Sequence, residues 1–230
     1  MVLNTYCKED KVLLAVDCII FGFYQEELKI LVVKRDFEPA MGEWSLIGGF
    51  LKQKENLNDA ASRILKRLTG LNNIYMEQVH SYSKVDRDPK ERTISVSYFA
   101  LIDIAHHCKD ILKENPIKWF NLKDMPSLIF DHNKMVKDAI TLLRNRITNK
   151  PVGFELLPEK FTMRQLQKMY EAILDTELDK RNFINKFNSF DLLRKLNEKD
   201  MSSSKKGAFL FKFDEDKYQK KLEEGFCFKI

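Results

Sequence analysis

Residues 42–71 read GEWSLIGGFLKQKENLNDAASRILKRLTGL. A tryptophan, two aliphatic residues and the pair Gly48-Gly49 come first, and a polar stretch then leads to Glu55. From Asn58 to Leu68 the apolar residues Ala60, Ala61, Ile64, Leu65 and Leu68 recur at helical spacing, while Arg63, Lys66 and Arg67 fall on the remaining surface. Thr69-Gly70-Leu71 closes the segment. The stretch reads as a loop, a packed helix and a second loop.

That frame resembles the Nudix box, in which a glycine, a glutamate, an arginine-led acidic segment and a glycine–aliphatic pair stand at fixed spacing. Gly49, Glu55, Arg63 and Gly70-Leu71 occupy the frame positions. The three positions that the resemblance expects to be carboxylates are Ile64, Arg67 and Leu68. In Nudix hydrolases those acids hold divalent cations, which polarise a diphosphate and activate water; the task needs hard oxygen ligands at close range. Two hydrocarbons and a cation cannot perform it. The box is read as a scaffold that has lost its catalysis, with no catalytic residue, metal or cofactor assigned.

The rest of the chain limits what such a scaffold can belong to. Its 230 residues suffice for one large or two small domains, and 44% hydrophobic with 32% charged residues suits a packed fold. The longest apolar run, residues 12–23, contains Asp17 and reads as strand, so no membrane span is expected. The first residues lack a basic segment followed by an apolar core, and a cytoplasmic protein is expected. Cys7, Cys18, Cys108 and Cys227 are scattered without paired spacing, and His106-His107-Cys108 reads as a solvated loop. The net charge of +5 is localised. Residues 178–212 hold nine Lys or Arg against four acids, whereas the remaining residues hold 30 of each sign. Such a concentrated excess is the electrostatic footprint of a nucleic-acid contact.

Residues 12–35 read as two strands around Gln25-Glu26-Glu27, and residues 74–84 and 93–103 as two more, separated by the charged loop DRDPKER. On the strand TISVSYFALI, Ser95 and Ser97 stand on one face. A short strand surrounds Trp119, and Asp131 is placed to cap an amphipathic helix through Met135, Ala139, Leu142, Leu143 and Ile147. This half is an α/β (α+β) sandwich, assigned to residues 1–150. The segment TNKPVGFELLPEK, residues 148–160, marks the boundary. Residues 151–230 then read as a winged helix-turn-helix. Thr162 caps one helix, Asp179 caps KRNFINKFNSF, and a hairpin of residues 192–213 carries SSSKKG at its tip. In the second helix Phe183, Ile184 and Phe187 point inward, leaving Lys180, Arg181, Asn182, Asn185 and Lys186 outward.

Taken together, the degenerate box, ILVVKRDFEPAMGEWSLIGGF, TISVSYFALI, SLIFDHNK and LQKMYEAILDTELDKRNFINKF resemble the Nudix-related transcription regulators over nearly the whole chain. The resemblance implies a non-enzymatic sensor domain, a small-molecule effector, and a homodimer on double-stranded operator DNA. KRDFEPAMGEWSLIGGF looks most like the arabinose-responsive branch, which implies a pentose effector, L-arabinose, and control of carbohydrate utilisation. Expected sugar ligands are Lys34, Trp44, Asp86, Ser95 and Ser97, supplying hydroxyl-binding groups and a ring face. Arg181, Asn182 and Asn185 are expected to read bases; Lys180, Lys186, Lys205 and Lys206 supply charge, the last three mainly to phosphates. Two other readings stand beside this one. A regulator of NAD metabolism would sense ADP-ribose with the same DNA domain, and an active Nudix hydrolase would need Glu55, Glu43 or the acids of DRDPKER as metal ligands.

Overall fold

The computed structural model describes residues 9–70, 74–105, 117–202 and 206–230. Its spine is strand β1 (Leu13–Tyr24). One half of β1 pairs antiparallel with β4 (Ile47–Phe50), the other half antiparallel with β2 (Glu27–Lys34), and its length runs parallel to β6 (Thr93–Asp103). β3 (Trp44–Ser45) and β7 (Ile117–Asn121) add to β2, and β5 (Tyr75–Tyr82) adds to β6, which completes a 7-stranded mixed sheet. The turn from β1 to β2 is tight, with Gln25 and Glu26 at φ of 54° and 63°; this mirror-image turn matches the twist of paired strands.

Because β1 is central and covered on both sides, both of its faces are apolar. Val16, Cys18 and Ile20 meet Ala60, Ala61, Ile64 and Leu65 of α1 (Leu57–Thr69). Ile19, Phe21 and Phe23 share the opposite core with Met135, Ala139 and Leu143 of α2 (His132–Asn149). The result is the α/β sandwich read from the sequence. One detail differs: Asp131 stands at the N-cap of α2 without a side-chain capping bond, because its carboxylate is held by Arg87 instead.

Beyond a 3₁₀ turn at Phe154–Leu156 the chain forms β8 (Phe161–Thr162), α3 (Met163–Leu174), α4 (Lys180–Phe190), and the hairpin β9 (Leu193–Asp200) with β10 (Ala208–Phe213). Thr162 and Gln165 form a reciprocal capping box on α3, and Asp179 accepts from the Asn182 backbone N–H at 2.8 Å. Asp175 leaves α3 through a left-handed residue, turning the chain into α4. Phe183 and Phe187 are buried as expected, while Ile184 is only half-buried. The small sheet has the order β8-β10-β9. A final helix, α5 (Glu215–Glu223), lies beyond the elements read from sequence, as does the return of Phe226 and Phe228 onto Phe190.

The segment 148–160 is packed, since Val152, Leu156 and Leu157 are buried. A single hydrophobic cluster extends from Phe21 through Leu143 and Ile147 to Leu166, Tyr170 and Phe187. Polar contacts reinforce it. Arg144 Nε donates to the Ile173 carbonyl at 2.8 Å, Lys123 pairs with Asp175 at 2.6 Å, and Arg164 pairs with Glu26 at 3.0 Å. No helix among the described residues is long and apolar enough to cross a membrane.

Candidate functional site

The box helix shows what stands at the positions where the box expects acids. α1 begins at a capping box between Asn56 and Asp59 and ends at Gly70, whose φ of 74° places it in the left-handed region. Ile64 is fully buried, and a Cβ on Gly49 would come within 3.3 Å of it. The position that the box expects to carry an acid has therefore become a packing contact between helix and glycine loop. Arg67 is exposed, and the Leu68 side chain lies outside the described residues. Glu55 remains, but Arg63 holds it through Nε at 2.8 Å and Nη2 at 2.5 Å, while the Lys52 backbone N–H donates to it at 2.8 Å. Hydrogen bonding from Arg63 lowers its pKa to about 2. Arg63 also donates to the Phe50 carbonyl at 3.0 Å, so the pair braces the loop against the helix. Among the described residues no three His, Cys, Asp or Glu side chains converge to hold a metal. One carboxylate already paired with arginine does not fit a Mg²⁺ site.

On the α2 side of the sheet, polar side chains gather where hydrocarbon would be expected. Asp17 is buried on β1 directly above Gly48, where any side chain would collide with its carboxylate. Ser95 Oγ donates to Asp17 Oδ2 at 2.5 Å, and Arg87 Nη2 approaches the same oxygen at 3.9 Å. Arg87 binds Asp131 in bidentate fashion at 3.0 and 2.8 Å. Beside them His132 accepts the Leu46 backbone N–H on Nδ1 at 3.1 Å, and burial lowers its pKa, favouring the neutral ring. A buried arginine costs desolvation, which its paired Nε and Nη2 bonds to Asp131 and the nearby Asp17 charge offset.

This cluster lies beneath a more exposed rim. Arg35 follows β2 with its guanidinium 3.8 Å from the Phe37 ring centroid and 5.8 Å from that of Phe130; its Nε donates to the Pro39 carbonyl at 2.6 Å. Lys34 Nζ stands 5.6 Å from the Trp44 ring, and Trp44 packs edge-on against Phe120 at 5.2 Å. Of the five residues expected to bind effector, Lys34 and Trp44 are thus together at this rim. Ser95 and Ser97 are fully buried and bonded within the protein, to Asp17 and the His80 carbonyl, so they support the floor. Asp86 is exposed and pairs with Lys84 at 3.0 Å. Its neighbour Arg87 is the loop residue that turns inward. Asp17 was the available signal for this cluster, being a lone acid inside an apolar strand.

In the C-terminal unit Lys180, Arg181, Asn182, Asn185 and Lys186 are all exposed on α4, opposite the buried Phe183, Phe187 and Phe190. Lys206 is exposed at the hairpin tip, and Lys205 lies outside the described residues. Arg194, Lys195 and Lys199, counted in the basic excess of residues 178–212 but given no individual role, are exposed on β9.

Comparison with known proteins agrees with both halves. The NUDIX domain matches residues 12–140, and the NrtR DNA-binding winged helix domain matches residues 153–213. The chain is 35% identical over 175 residues to the ADPR responsive transcriptional repressor NtrR of Acinetobacter baylyi, spanning 74% of this chain and 70% of that protein. It is also similar to Shewanella oneidensis NrtR complexed with a 27mer DNA, at a TM-score of 0.82 and 27% identity over 94% of this chain and 97% of that one. The NUDIX domain of the same Shewanella protein complexed with ADP ribose matches at a TM-score of 0.51 and 30% identity, over 61% of this chain and 94% of that one.

These relatives correct the expected effector. The placement in the arabinose-responsive branch, and with it L-arabinose and carbohydrate metabolism, gives way to relatives described by ADP-ribose. KRDFEPAMGEWSLIGGF misled because much of it builds framework: β3, β4 and the loop between β2 and β3, with Trp44 packed on Phe120. With its NUDIX domain at residues 12–140, its winged helix at residues 153–213 and a 35% identical repressor as relative, the chain belongs to the NrtR family of Nudix-domain transcription regulators.

Proposed function

We propose that the protein is an ADP-ribose-responsive, DNA-binding regulator of NAD metabolism that acts in the cytoplasm as a homodimer and does not hydrolyse its effector. The observation carrying this reading is the conversion of the box from metal site to packing surface, Ile64 against Gly49, in a chain continuous with an NrtR-type winged helix. The sensor is taken as residues 1–150 and the DNA-binding unit as residues 151–230. ADP-ribose needs cations for its diphosphate and a ring face for adenine; Lys34 and Arg35 supply the first, Phe37 and Trp44 the second. Arg87, Asp17 and Ser95 hold the floor beneath them. On α4, Arg181, Asn182 and Asn185 read bases, while Lys180, Lys186, Lys205 and Lys206 meet phosphates.

The test combines binding and release. ADP-ribose, AMP, ribose 5-phosphate and free ribose are compared by thermal shift, then titrated into a complex with an operator duplex selected from a random pool. ADP-ribose is expected to raise the midpoint as its concentration rises, and to release the duplex. Incubation with Mg²⁺ should leave it intact. No midpoint shift with ADP-ribose, or unchanged operator affinity at saturation, would refute the effector assignment. Cleavage of ADP-ribose that is lost in Glu55→Gln would identify a hydrolase instead.

A further inference from the structure

Two ion pairs join the sensor to opposite ends of α3. At its first turn Arg164 donates to Glu26 through Nε at 3.3 Å and Nη2 at 3.0 Å, and at its C-cap Asp175 pairs with Lys123 at 2.6 Å. All four side chains are half exposed or more, so neither pair adds much to the stability of the fold. Between the sensor and this side of α3 runs a cleft of about 600 Å³, lined by Glu26, Leu28, Lys123, Arg144, Lys168 and Asp175, where the two halves stand apart. Glu26 has a φ of 63° beside Gln25 at 54°, in a turn whose backbone suits Asn-Gly. Two full side chains there carry strain, and the second reaches across to the other unit. The contact between α3 and α4 is built differently. Gln167, buried on α3, donates to the Leu178 carbonyl at 2.9 Å, Glu171 accepts the Leu178 backbone N–H at 3.1 Å, and Tyr170 sets its ring edge-on against Phe183 and Phe187. Any rotation of α3 therefore carries the outward face of α4 with it.

We infer that Glu26–Arg164 and Lys123–Asp175 form a latch that positions α4 for the operator, and that the effector weakens DNA binding by opening it. This rests on the reading of the chain as an effector-responsive DNA-binding regulator. A base-reading helix binds best when its orientation is fixed beforehand, because ordering it on the DNA costs affinity. Two pairs at opposite ends of α3 fix that orientation against the sensor. A switch also needs contacts that differ between its two states and that a ligand's differential affinity can break. Exposed ion pairs meet that need, since water takes over their charges at little cost. Meanwhile the buried packing of Leu166, Met169 and Ile173 in the shared core keeps the halves joined. Arg144, whose Nε holds the Ile173 carbonyl from α2 at 2.8 Å, supplies a pivot beside the cleft, and the cleft gives α3 room to rock.

Affinity for the selected operator is measured on the full-length chain with and without saturating ADP-ribose. The variants are Glu26→Arg, Arg164→Glu, their combination, and Asp175→Asn, whose side chain is tolerated at the left-handed C-cap. Each single variant should bind the operator about two- to fivefold more weakly. The remaining effect of ADP-ribose should shrink by the same factor, since part of the opening is already done. Glu26→Arg/Arg164→Glu re-forms the pair with its charges exchanged and should restore both the affinity and the response. Thermal midpoints should move by no more than about 4 °C. Single variants that bind the operator as tightly as the unsubstituted chain would overturn the latch. So would a combined variant that stays weak, which would assign Arg164 to a DNA phosphate, or a large fall of the midpoint in the single variants, which would make the pairs supports of the fold. If ADP-ribose leaves the affinity of the unsubstituted chain unchanged, the effector assignment fails, and the charge exchange alone still decides whether the pairs position α4.

Discussion

Glu55 and Arg63 are two frame residues of the box that outlast its metal ligands, and the structure gives them a mechanical role. The guanidinium clasps the carboxylate and reaches the Phe50 carbonyl, joining the loop to α1. This bond holds the Glu55 pKa at about 2 instead of the ordinary 4.5. As pH falls, the unfolded chain takes up a proton at Glu55 before the folded chain does. The brace therefore stabilises fully above about pH 4.5 and its contribution is lost as pH falls toward 2. Glu55→Gln should melt below the unsubstituted protein at pH 7, and the two midpoints should converge over that acid window. A gap in midpoint that is constant from pH 7 to pH 3 would show that the carboxylate's charge is not what braces the loop. At the same scale, Ile64 shows how a replaced carboxylate was readable: an aliphatic residue at a ligand position announces itself in sequence. What had replaced the ligand, contact with Gly49, needed the fold.

Among the elements, α4 joins sequence and function most directly, because one face is fixed by Phe183, Phe187 and Phe190 and the other is left to polar groups. Arg181 lies in its first turn and presents a fork suited to a guanine edge. Arg181→Ala should cost roughly 1–3 kcal/mol of operator binding and relax preference at one base position, whereas Lys206→Ala should weaken all duplexes about equally and lower the salt slope by about one ion. Matched and scrambled operators measured over a salt series separate these outcomes, and undiminished selectivity in Arg181→Ala would remove its base-reading role. Periodicity and caps made this helix, α1 and the strands from Leu13 to Asp103 legible. The effector was not legible, because residues 34–50 hold framework beside cations and rings, Lys34, Arg35, Phe37 and Trp44, whose residue types suit a pentose or a nucleotide alike. The Asp17–Arg87–Asp131–His132 cluster was hidden for a different reason: its members come from β1, a loop and the start of α2, and their adjacency has no linear signature. Ser95 and Ser97 were read as sharing one face of β6, but alternation cannot say whether that face is open or sealed.

Across the whole molecule, the division into sensor and DNA-binding unit is a division of labour more than of packing. α2 faces the polar cluster at its start, and near its end Arg144 holds the last turn of α3 while the Thr148 carbonyl accepts the Ile230 backbone N–H at 3.0 Å. The returning tail seats Phe228, only 3% exposed, 4.5 Å from the ring of Phe190 and 6.2 Å from that of Phe187. Since the core runs unbroken from Phe21 to Phe228, loss of packing at one end should be felt at the other. Phe228→Ala removes a buried aromatic side chain and should cost about 3–5 kcal/mol. The chain contains two tryptophans, Trp44 and Trp119, both in the sensor, so their fluorescence reports on that half alone, whereas far-ultraviolet dichroism follows helices in both. In a single cooperative unit, Phe228→Ala lowers the denaturant midpoint by the same amount in both signals, although the substituted side chain lies outside the sensor. If tryptophan fluorescence keeps its original midpoint while dichroism shows an earlier transition, the two halves unfold separately and the shared core does not couple them.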